Sequence, residues 1–325
     1  MRPYTYVLAD SVAAATTRAG SANAYLAGGT TLVDLMKLEV LTPEHVIDIN
    51  GLPFTGITVG TEGLHIGALE RMSDVAEDPA VRSDFALVSQ ALELSASPQL
   101  RNMASMGGNL LQRTRCSYFR DPSMPCNKRN PGAGCPAMNG YNRAHAVLGT
   151  SDACVATHAS DVAVALVAAE AALELRSSDG GRRVALEQFY RSPGSTPDVE
   201  NDLKAGELIA AITAPLFPAG TRTGYLKVRD RQSYEFALTS VAVAVTLRGG
   251  VITRARLAAG GVGTVPWRLR EVERLLSGRP ATAATFEAAA AAAARDARPL
   301  RHNGFKPHLL RRAIVRALLD VTDPA

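Results

Sequence analysis

The chain has 325 residues, of which 46% are apolar and 20% charged, the composition of a soluble globular protein long enough for two or three domains. Its formal net charge of +4 comes from scattered Lys and Arg rather than one basic block, which argues against a nucleic-acid-binding protein. The longest apolar runs, residues 162–173 and 241–247, are too short to span a bilayer.

The first 50 residues alternate short predicted strands and helices around one glycine pair. Apolar spacing predicts a helix over 11–22 and strands over 24–27 and 45–49. Gly28-Gly29-Thr30-Thr31 follows the first strand and opens a helix with an apolar face. Backbone N–H groups at such a turn favour an anion, so the turn is a candidate phosphate site, although an ordinary tight turn has the same sequence.

A second glycine pair, Gly107-Gly108, lies between Ser105 and Asn109. Before it we predict a hairpin over 56–68, a short helix capped by Ser73-Asp74 and a helix over 84–96. Because glycine lacks a Cβ, two such pairs can bring backbone close to opposite sides of one diphosphate; a turn is again the alternative. The chain contains no G-x-G-x-x-G motif, which argues against a Rossmann nucleotide site.

All four cysteines lie in one irregular segment, residues 105–161, which is rich in Pro, Gly, Asn and Arg. Cys116, Cys126, Cys135 and Cys154 have the spacing C-x9-C-x8-C-x18-C. This composition is poor for helix or strand, and a long loop of this kind is usually functional or disordered. Since free cysteines normally lie in apolar cores, four in one loop indicate a cross-linked segment.

Three kinds of cross-link remain open from the residues alone. Two disulfides need an oxidising compartment, and the N-terminus MRPYTYVLAD lacks the pattern of a secretory signal. A zinc site usually includes a C-x2–4-C pair, which this sequence does not contain. An iron–sulfur cluster has a larger core that widely spaced thiolates can surround, and Lys128, Arg129 and Arg143 would offset its charge.

The rest of the chain predicts one helix, several strands, a linker and a helical C-terminus. The predicted elements are a helix over 162–168 capped by Ser160-Asp161, strands over 172–176, 184–189 and 207–214, a linker over 216–220, strands over 221–229, within 233–247 and over 251–259, and helices ending at 276, over 283–295 and over 307–319. The arginine face of the last helix is either a solvated surface or a face that docks another subunit.

Five ordered motifs resemble the FAD-binding medium subunits of the molybdenum hydroxylases, the xanthine dehydrogenase and aldehyde oxidoreductase family. They are LAGGTTL at 26–32, ASMGGNL at 104–110, SDVAVAL at 160–166, ELIAAITAP at 207–215 and YLKVRDRQSYEFALTSVAVAV at 225–245. The cysteine segment is similar to that of the flavin subunits of bacterial periplasmic aldehyde oxidoreductases, which add a 4Fe-4S cluster to the flavin.

The resemblance implies an α+β fold with two domains. Residues 1–217 would form a two-part FAD-binding domain of the PCMH (vanillyl-alcohol oxidase-like) type, with a 4Fe-4S loop inserted at about 110–158. Residues 218–325 would form a smaller α+β C-terminal domain of the CO dehydrogenase flavoprotein type.

The resemblance also implies which residues bind cofactors. The FAD-binding residues would be Leu26, Ala27, Gly28, Gly29, Thr30, Thr31, Leu32, Ser105, Gly107, Gly108, Asn109, Asp161, Ile209 and Lys227. Backbone amides of the two glycine segments would wrap the diphosphate, Asp161 would hold a polar group of the dinucleotide and Ile209 would line the adenine side. Lys227 would reach the flavin ring, where its charge stabilises the reduced flavin. The four cysteines would bind the 4Fe-4S cluster, and no residue is expected to act on the substrate directly.

The function implied is that of an electron-transfer subunit of a molybdenum-dependent aldehyde oxidoreductase. Its partners would be a molybdenum-cofactor-binding large subunit and a 2Fe-2S small subunit, with electrons passing through FAD to an external acceptor. Without a signal of its own, the chain would be cytoplasmic, or periplasmic by export with a signal-bearing partner. The alternatives are a xanthine dehydrogenase or 4-hydroxybenzoyl-CoA reductase type of flavin subunit, a stand-alone flavoprotein oxidase, and a metal-braced scaffold module without redox activity.

Overall fold

Three β-sheets organise the computed structural model, which describes residues 1–17, 20 and 22–322. The strands are β1 Thr5–Leu8, β2 Asn23–Leu26, β3 His45–Asp48, β4 Ile57–Gly60, β5 Gly63–Gly67, β6 Ala172–Ser177, β7 Gly180–Ala185, β8 Leu208–Ala214, β9 Thr221–Val228, β10 Thr239–Arg248, β11 Val251–Gly260 and β12 Trp267–Arg268. The helices are α1 Val12–Thr16, α2 Leu32–Lys37, α3 Met72–Glu77, α4 Pro79–Asp84, α5 Ala86–Glu93, α6 Pro98–Met103, α7 Met106–Leu110, α8 Ser117–Arg120, α9 Asp161–Ala168, α10 Leu186–Phe189, α11 Arg270–Leu276, α12 Ala283–Ala290 and α13 Lys306–Thr322. The α+β fold class is thereby confirmed.

The N-terminal sheet is parallel, with the order β1-β3-β2. Its central strand carries Val46 and Ile47, both buried, and the second packs in a small core with Ala9 and Leu52. The strands predicted over 24–27 and 45–49 are confirmed within one residue. The helix predicted over 11–22 is α1 over its first part, and residues 18, 19 and 21 of that prediction lie outside the described residues.

The second sheet is antiparallel, with the order β4-β5-β8-β6-β7. The predicted hairpin over 56–68 forms β4 and β5, which pair from Ile57 with Ile66 to Gly60 with Gly63. Helices α3, α4, α5 and α9 contribute to the largest core together with this sheet. The predicted helix cap at Ser160 is confirmed, since its Oγ accepts a hydrogen bond from Ala163 N at 3.0 Å.

Three predicted boundaries in this region were wrong. Ser73 lies inside α3 rather than at its cap. The helix predicted over 84–96 is α5, which covers only Ala86–Glu93, because Asp84 is the last residue of α4, a separate helix that Asp78 caps and that starts with proline. The strand predicted over 184–189 ends at Ala185. Leu186 and Phe189 are both fully buried, and α10 places these two residues, three apart, on one face.

The third sheet, with the order β12-β11-β10-β9, belongs to the C-terminal part of the chain. Alternate residues of β10 enter two different cores: Val241, Val243 and Val245 pack in the C-terminal core, and Ala242 packs in the largest core. This explains why the whole central part of the strand is buried. The helix predicted over 283–295 is α12 continued by a 3-10 turn over Ala291–Ala294. Among the residues described, no helix combines the length and apolar character needed to cross a bilayer.

Candidate functional site

The two glycine pairs, far apart in sequence, line one cavity of about 210 Å³, here called the glycine cavity. Predicted FAD-binding residues in its wall are Ala27, Gly28, Gly29, Thr30, Thr31, Leu32, Ser105, Gly107, Gly108 and Ile209. The first pair lies between β2 and α2, and the second lies within α7. The cavity therefore lies where the parallel N-terminal sheet meets the second sheet.

Gly28 is the position where the two segments come closest. A Cβ at this residue would lie 2.0 Å from Met103 O and 2.8 Å from Ala104 Cα, so no other residue fits without moving the backbone. Gly29 has φ of +72°, a conformation that side chains other than glycine rarely adopt. Both glycines are thus required by local geometry, whether or not a ligand is bound.

The backbone N–H groups of the two glycine segments differ in whether they already donate a hydrogen bond within the protein. Within the described part of the chain, the N–H groups of Gly29, Thr30 and Thr31 donate to no other protein atom. In contrast, Gly107 N donates to Ala68 O at 2.7 Å, and Gly108 N donates to Ser105 Oγ at 3.2 Å. The first pair can therefore donate hydrogen bonds to an anion, whereas the second mainly offers a surface without side chains.

Asp161 and Lys227 form a buried ion pair at the start of α9. Lys227 Nζ lies 2.8 Å from Asp161 Oδ2, with the two side chains 1% and 7% exposed. The second carboxylate oxygen accepts a hydrogen bond from Tyr225 Oη at 2.8 Å, and Lys227 also donates to Leu94 O at 3.0 Å. Burial, together with the charge of Asp161, raises the pKa of Tyr225 well above its usual value. A network this complete fixes the carboxylate in place.

Asp161 lines a second and larger cavity of about 440 Å³, here called the large cavity. Its other wall residues include Cys116, His145, His158 and Phe236. The side chain of Lys227 does not line this cavity and reaches it only through its contact with Asp161. A cavity of about 70 Å³ shares Leu111 and Arg113 with the glycine cavity, and it shares Thr157 and His158 with the large cavity. The three cavities therefore form a row.

Like Lys227, two further predicted FAD residues line none of the three cavities. Leu26 ends β2 and accepts a hydrogen bond from Ile49 N at 3.0 Å. Asn109 Oδ1 accepts a hydrogen bond from Ser160 Oγ at 2.5 Å, which joins the second glycine segment to the cap of α9. Asn109 is thus a link between the glycine cavity and Asp161.

All four cysteines line one small cavity, here called the cysteine cavity, together with Lys128 and His145. None of the four forms a disulfide. Burial raises the pKa of Cys116 to about 11 and also raises the pKa of Cys135 and of Cys154, and neighbouring thiols add to each rise. Thiolates in this cavity consequently need a cation or a metal centre to stabilise them.

The four cysteines meet at one cavity without a disulfide between them. In the described ranges, no group of three or more His, Cys, Asp or Glu side chains is placed to hold a metal ion. The structure therefore shows four free thiols at one cavity, with neither a disulfide nor a preformed metal site among the described residues there.

Helix α2 joins the glycine cavity to the cysteine segment. Its Leu35 packs with Phe119 and Cys126 in a small separate core. On the same helix, Asp34 Oδ2 lies 3.1 Å from Arg115 Nη1 and 2.8 Å from Arg120 Nη2. The turn that offers free amides and the loop that carries the thiols are therefore parts of one packed unit.

Of the three cations predicted to offset cluster charge, the structure places only Lys128 at the cysteine cavity. Lys128 lowers the pKa of Cys154 against the larger effect of burial. Arg129 instead donates to the carbonyls of Tyr118 and Phe119, at 3.0 and 2.6 Å, and Arg143 pairs with Asp230 at 2.8 Å. Loop carbonyls and a facing C-terminal carboxylate therefore hold these two guanidinium groups, neither of which lines the cysteine cavity.

His145 and Lys306 are buried near the site, which the sequence did not indicate. His145 Nε2 lies 3.2 Å from Cys116 Sγ. Lys306 is fully buried at the start of α13, and its Nζ donates to Ala144 O at 3.0 Å and Gly261 O at 2.6 Å. Nothing in the pattern around either residue marks it, since His145 is a lone histidine in a loop and Lys306 begins a helix whose other cations are exposed.

Comparison with known proteins agrees with this geometry. Residues 2–217 match the family "FAD binding domain in molybdopterin dehydrogenase", and residues 224–321 match the family "CO dehydrogenase flavoprotein C-terminal domain". The chain is 45% identical to the aldehyde oxidoreductase FAD-binding subunit PaoB of Escherichia coli K12, over 91% of this chain and 90% of that subunit. It is 30% identical to the glyceraldehyde dehydrogenase medium chain of Sulfolobus acidocaldarius, over 78% and 73% of the two chains.

Among solved structures, the carbon monoxide dehydrogenase of Hydrogenophaga pseudoflava has a chain that superposes with a TM-score of 0.78. That chain is 26% identical in sequence, and the superposition covers 98% of this chain and 97% of the other. The predicted resemblance and the two-domain architecture are confirmed by these matches. The chain therefore belongs to the FAD-binding subunits of the molybdenum hydroxylase family, and it is a subunit of an oxidoreductase.

Proposed function

We propose that this chain is the FAD- and 4Fe-4S-containing electron-transfer subunit of a molybdenum-dependent aldehyde oxidoreductase. An aldehyde substrate is supported by the relatives from E. coli and S. acidocaldarius, whose names specify an aldehyde oxidoreductase and a glyceraldehyde dehydrogenase. In this proposal a molybdenum-cofactor-binding large subunit oxidises the aldehyde, and a 2Fe-2S small subunit delivers the electrons. This chain then passes them to an external acceptor.

The glycine cavity has the features that an FAD diphosphate needs. Gly29, Thr30 and Thr31 would donate their unused N–H groups to the phosphate oxygens, and the second glycine pair would allow the other side of the diphosphate to approach closely. Ile209 would cover the adenine side. When bound, FAD supplies the reversible two-electron chemistry, and the protein contributes binding and orientation.

The large cavity is the proposed site of the flavin ring. Asp161 would bind a polar group of the dinucleotide from its wall, and Lys227 would fix that carboxylate and place a positive charge behind it. The same charge would favour the reduced, anionic form of the ring. The neighbouring His158 is neutral, because burial and the charge of Lys128 lower its pKa to about 3, so it would serve as a hydrogen-bonding rather than a charged group.

The single observation that supports the cluster is the convergence of four free cysteines on one cavity. They come from separated positions in an irregular loop, and nothing about core packing alone requires them to meet. Burial raises the pKa of Cys116, Cys135 and Cys154, so the protein alone does not favour these thiolates, whereas ferric and ferrous ions would. A 4Fe-4S cluster would supply one-electron transfer at this position.

The experiment is to purify the full chain anaerobically and to measure released flavin, iron and absorbance. We expect about one FAD and about four irons per chain, with a visible spectrum that dithionite bleaches and air restores. Replacing Cys135 by serine should remove most of the iron and keep the flavin, while Ser123→Ala, in an exposed part of the same loop, should keep both.

Each alternative gives a different result in these measurements. A wild-type chain without iron would refute the cluster, and one without flavin would refute the assignment of the glycine cavity. Bound cofactors that dithionite cannot reduce would indicate a scaffold module. Turnover of aldehydes by the isolated chain would indicate a stand-alone oxidase instead of an electron-transfer subunit.

A further inference from the structure

His145 and Cys116 together form the wall between the cysteine cavity and the large cavity. Both residues line both cavities. The Nε2 atom of His145 lies 3.2 Å from Cys116 Sγ, within hydrogen-bonding distance for a sulfur acceptor. In the part of the chain that the structure describes, this is the one side-chain hydrogen bond made to any of the four cysteine sulfurs. Cys116 is thereby distinguished from the other three.

The direction of this hydrogen bond follows from the other ring nitrogen. His145 Nδ1 is buried and has no hydrogen-bond partner among the described residues. A proton on Nδ1 would leave a buried N–H group unsatisfied, which costs more than a buried lone pair without a donor. An imidazole with its proton on Nε2 avoids this cost and donates to the sulfur. A metal-bound thiolate has no proton of its own, so it could only accept.

The position of His145 is fixed by the C-terminal part of the chain. The fully buried Asn303 donates from Nδ2 to His145 O at 3.2 Å and to Ala146 O at 3.3 Å. Lys306 donates to the preceding carbonyl, Ala144 O, at 3.0 Å. Buried side chains from a distant segment thus hold the loop at this residue, so that the contact between ring and sulfur is built into the fold.

We propose that His145 is a positioning residue that donates a hydrogen bond to the Cys116 thiolate and thereby raises the reduction potential of the cluster. This inference rests on the proposed function. A hydrogen bond donated to a ligand sulfur stabilises the negative charge on that sulfur. The reduced cluster is more negative than the oxidised one and is therefore stabilised more, which raises the reduction potential. Cys116 also lines the large cavity, so this hydrogen bond would affect the ligand on the side of the cluster that faces the proposed flavin ring.

The test compares two substitutions in the full chain. His145→Leu removes the donor, whereas His145→Gln keeps an N–H group on a flexible side chain. His65→Leu is the matched control, since His65 is a half-buried histidine on β5 that lines neither cavity. For each variant, iron and flavin are quantified, and the midpoint potential of the cluster is measured by titration followed by electron paramagnetic resonance.

We expect His145→Leu to shift the midpoint potential to a lower value, with His145→Gln closer to wild type and His65→Leu unchanged. An unshifted potential in His145→Leu would overturn the inference. If His145→Leu loses its iron, the result for His145→Gln tests the inference. Retained iron at a wild-type potential in His145→Gln would support it. Loss of iron from both variants would overturn it, because the histidine would then be needed to hold the cluster. A wild-type chain without iron would refute the proposed function itself.

Discussion

Replacing Lys227 by methionine tests the buried ion pair beside the large cavity. Lys227 Nζ lies 2.8 Å from Asp161 Oδ2, and its side chain is 1% exposed. Methionine keeps most of the length of the side chain and removes its charge, so the carboxylate of Asp161 would keep only its bonds from Tyr225 and Ser95. Removing one partner of a buried ion pair lowers the free energy of unfolding by about 3–5 kcal/mol. Because the carboxylate keeps two hydrogen bonds, we expect a decrease at the lower end of this range, about 3 kcal/mol.

The assay is urea unfolding of the full chain at pH 7, followed by circular dichroism, with flavin content measured on the same samples. The matched control is Lys204→Met, since Lys204 is exposed, and its effect should stay within about 0.5 kcal/mol. The double variant Asp161→Asn/Lys227→Met should recover part of the loss, because an amide needs no counter-charge.

If Lys227→Met lowered the free energy of unfolding by less than about 1 kcal/mol, the reasoning would be refuted, since an exposed ion pair contributes that much. Strict additivity of the two substitutions would also contradict it, because residues in direct contact should show an interaction energy. If stability falls as expected while flavin content is unchanged, Lys227 supports the fold without contributing to flavin binding.

Three further predictions concern other parts of the site. Gly28→Ala should push the first glycine segment away from Met103 O and lower the flavin content of the purified chain, whereas Gly60→Ala, with no atom within 4 Å of its added Cβ, should keep wild-type flavin. Asp34→Asn removes the charge partner of Arg115 and Arg120, so limited proteolysis should cut the loop over 121–134 faster than in wild type, with unchanged rates elsewhere. Burial, with a smaller effect of Arg143, lowers the pKa of Lys306 to about 7 in the folded chain, while the unfolded chain keeps the ordinary value near 10.5. Between those values the unfolded state binds more protons, so the free energy of unfolding should rise with pH from about 7 to about 10, and Lys306→Met should lose this rise in urea titrations.

Elements with a strong local signal were predictable from the sequence. The β4–β5 hairpin follows from two alternating segments around a glycine turn, and α9 follows from a serine cap before an apolar run. The burial of β10 could also be predicted, because its alternation of Val and Ala leaves no polar face. What the sequence did not predict is that the alanine and valine faces serve two different cores.

The errors have a common physical origin in tertiary packing. The segment 184–189 has residues suited to a strand, yet α10 forms because both Leu186 and Phe189 can be buried only if they share a face. Arg129 and Arg143 were expected, from their sequence position alone, to offset the charge of a cluster. Their direct partners, loop carbonyls and Asp230, could not be predicted because they become adjacent only in the folded chain.

The candidate site was predictable as a set of residues but not as an arrangement. The motifs indicated which residues would meet, whereas the wall shared by Cys116 and His145 depends on Asn303 and Lys306, which come from the opposite end of the chain. Since α2 packs on the cysteine segment from one side and these two residues hold it from the other, the loop is fixed by both parts of the chain at once. A substitution that loosens either contact should therefore affect the glycine cavity and the cysteine cavity together, whereas independent sites would respond separately.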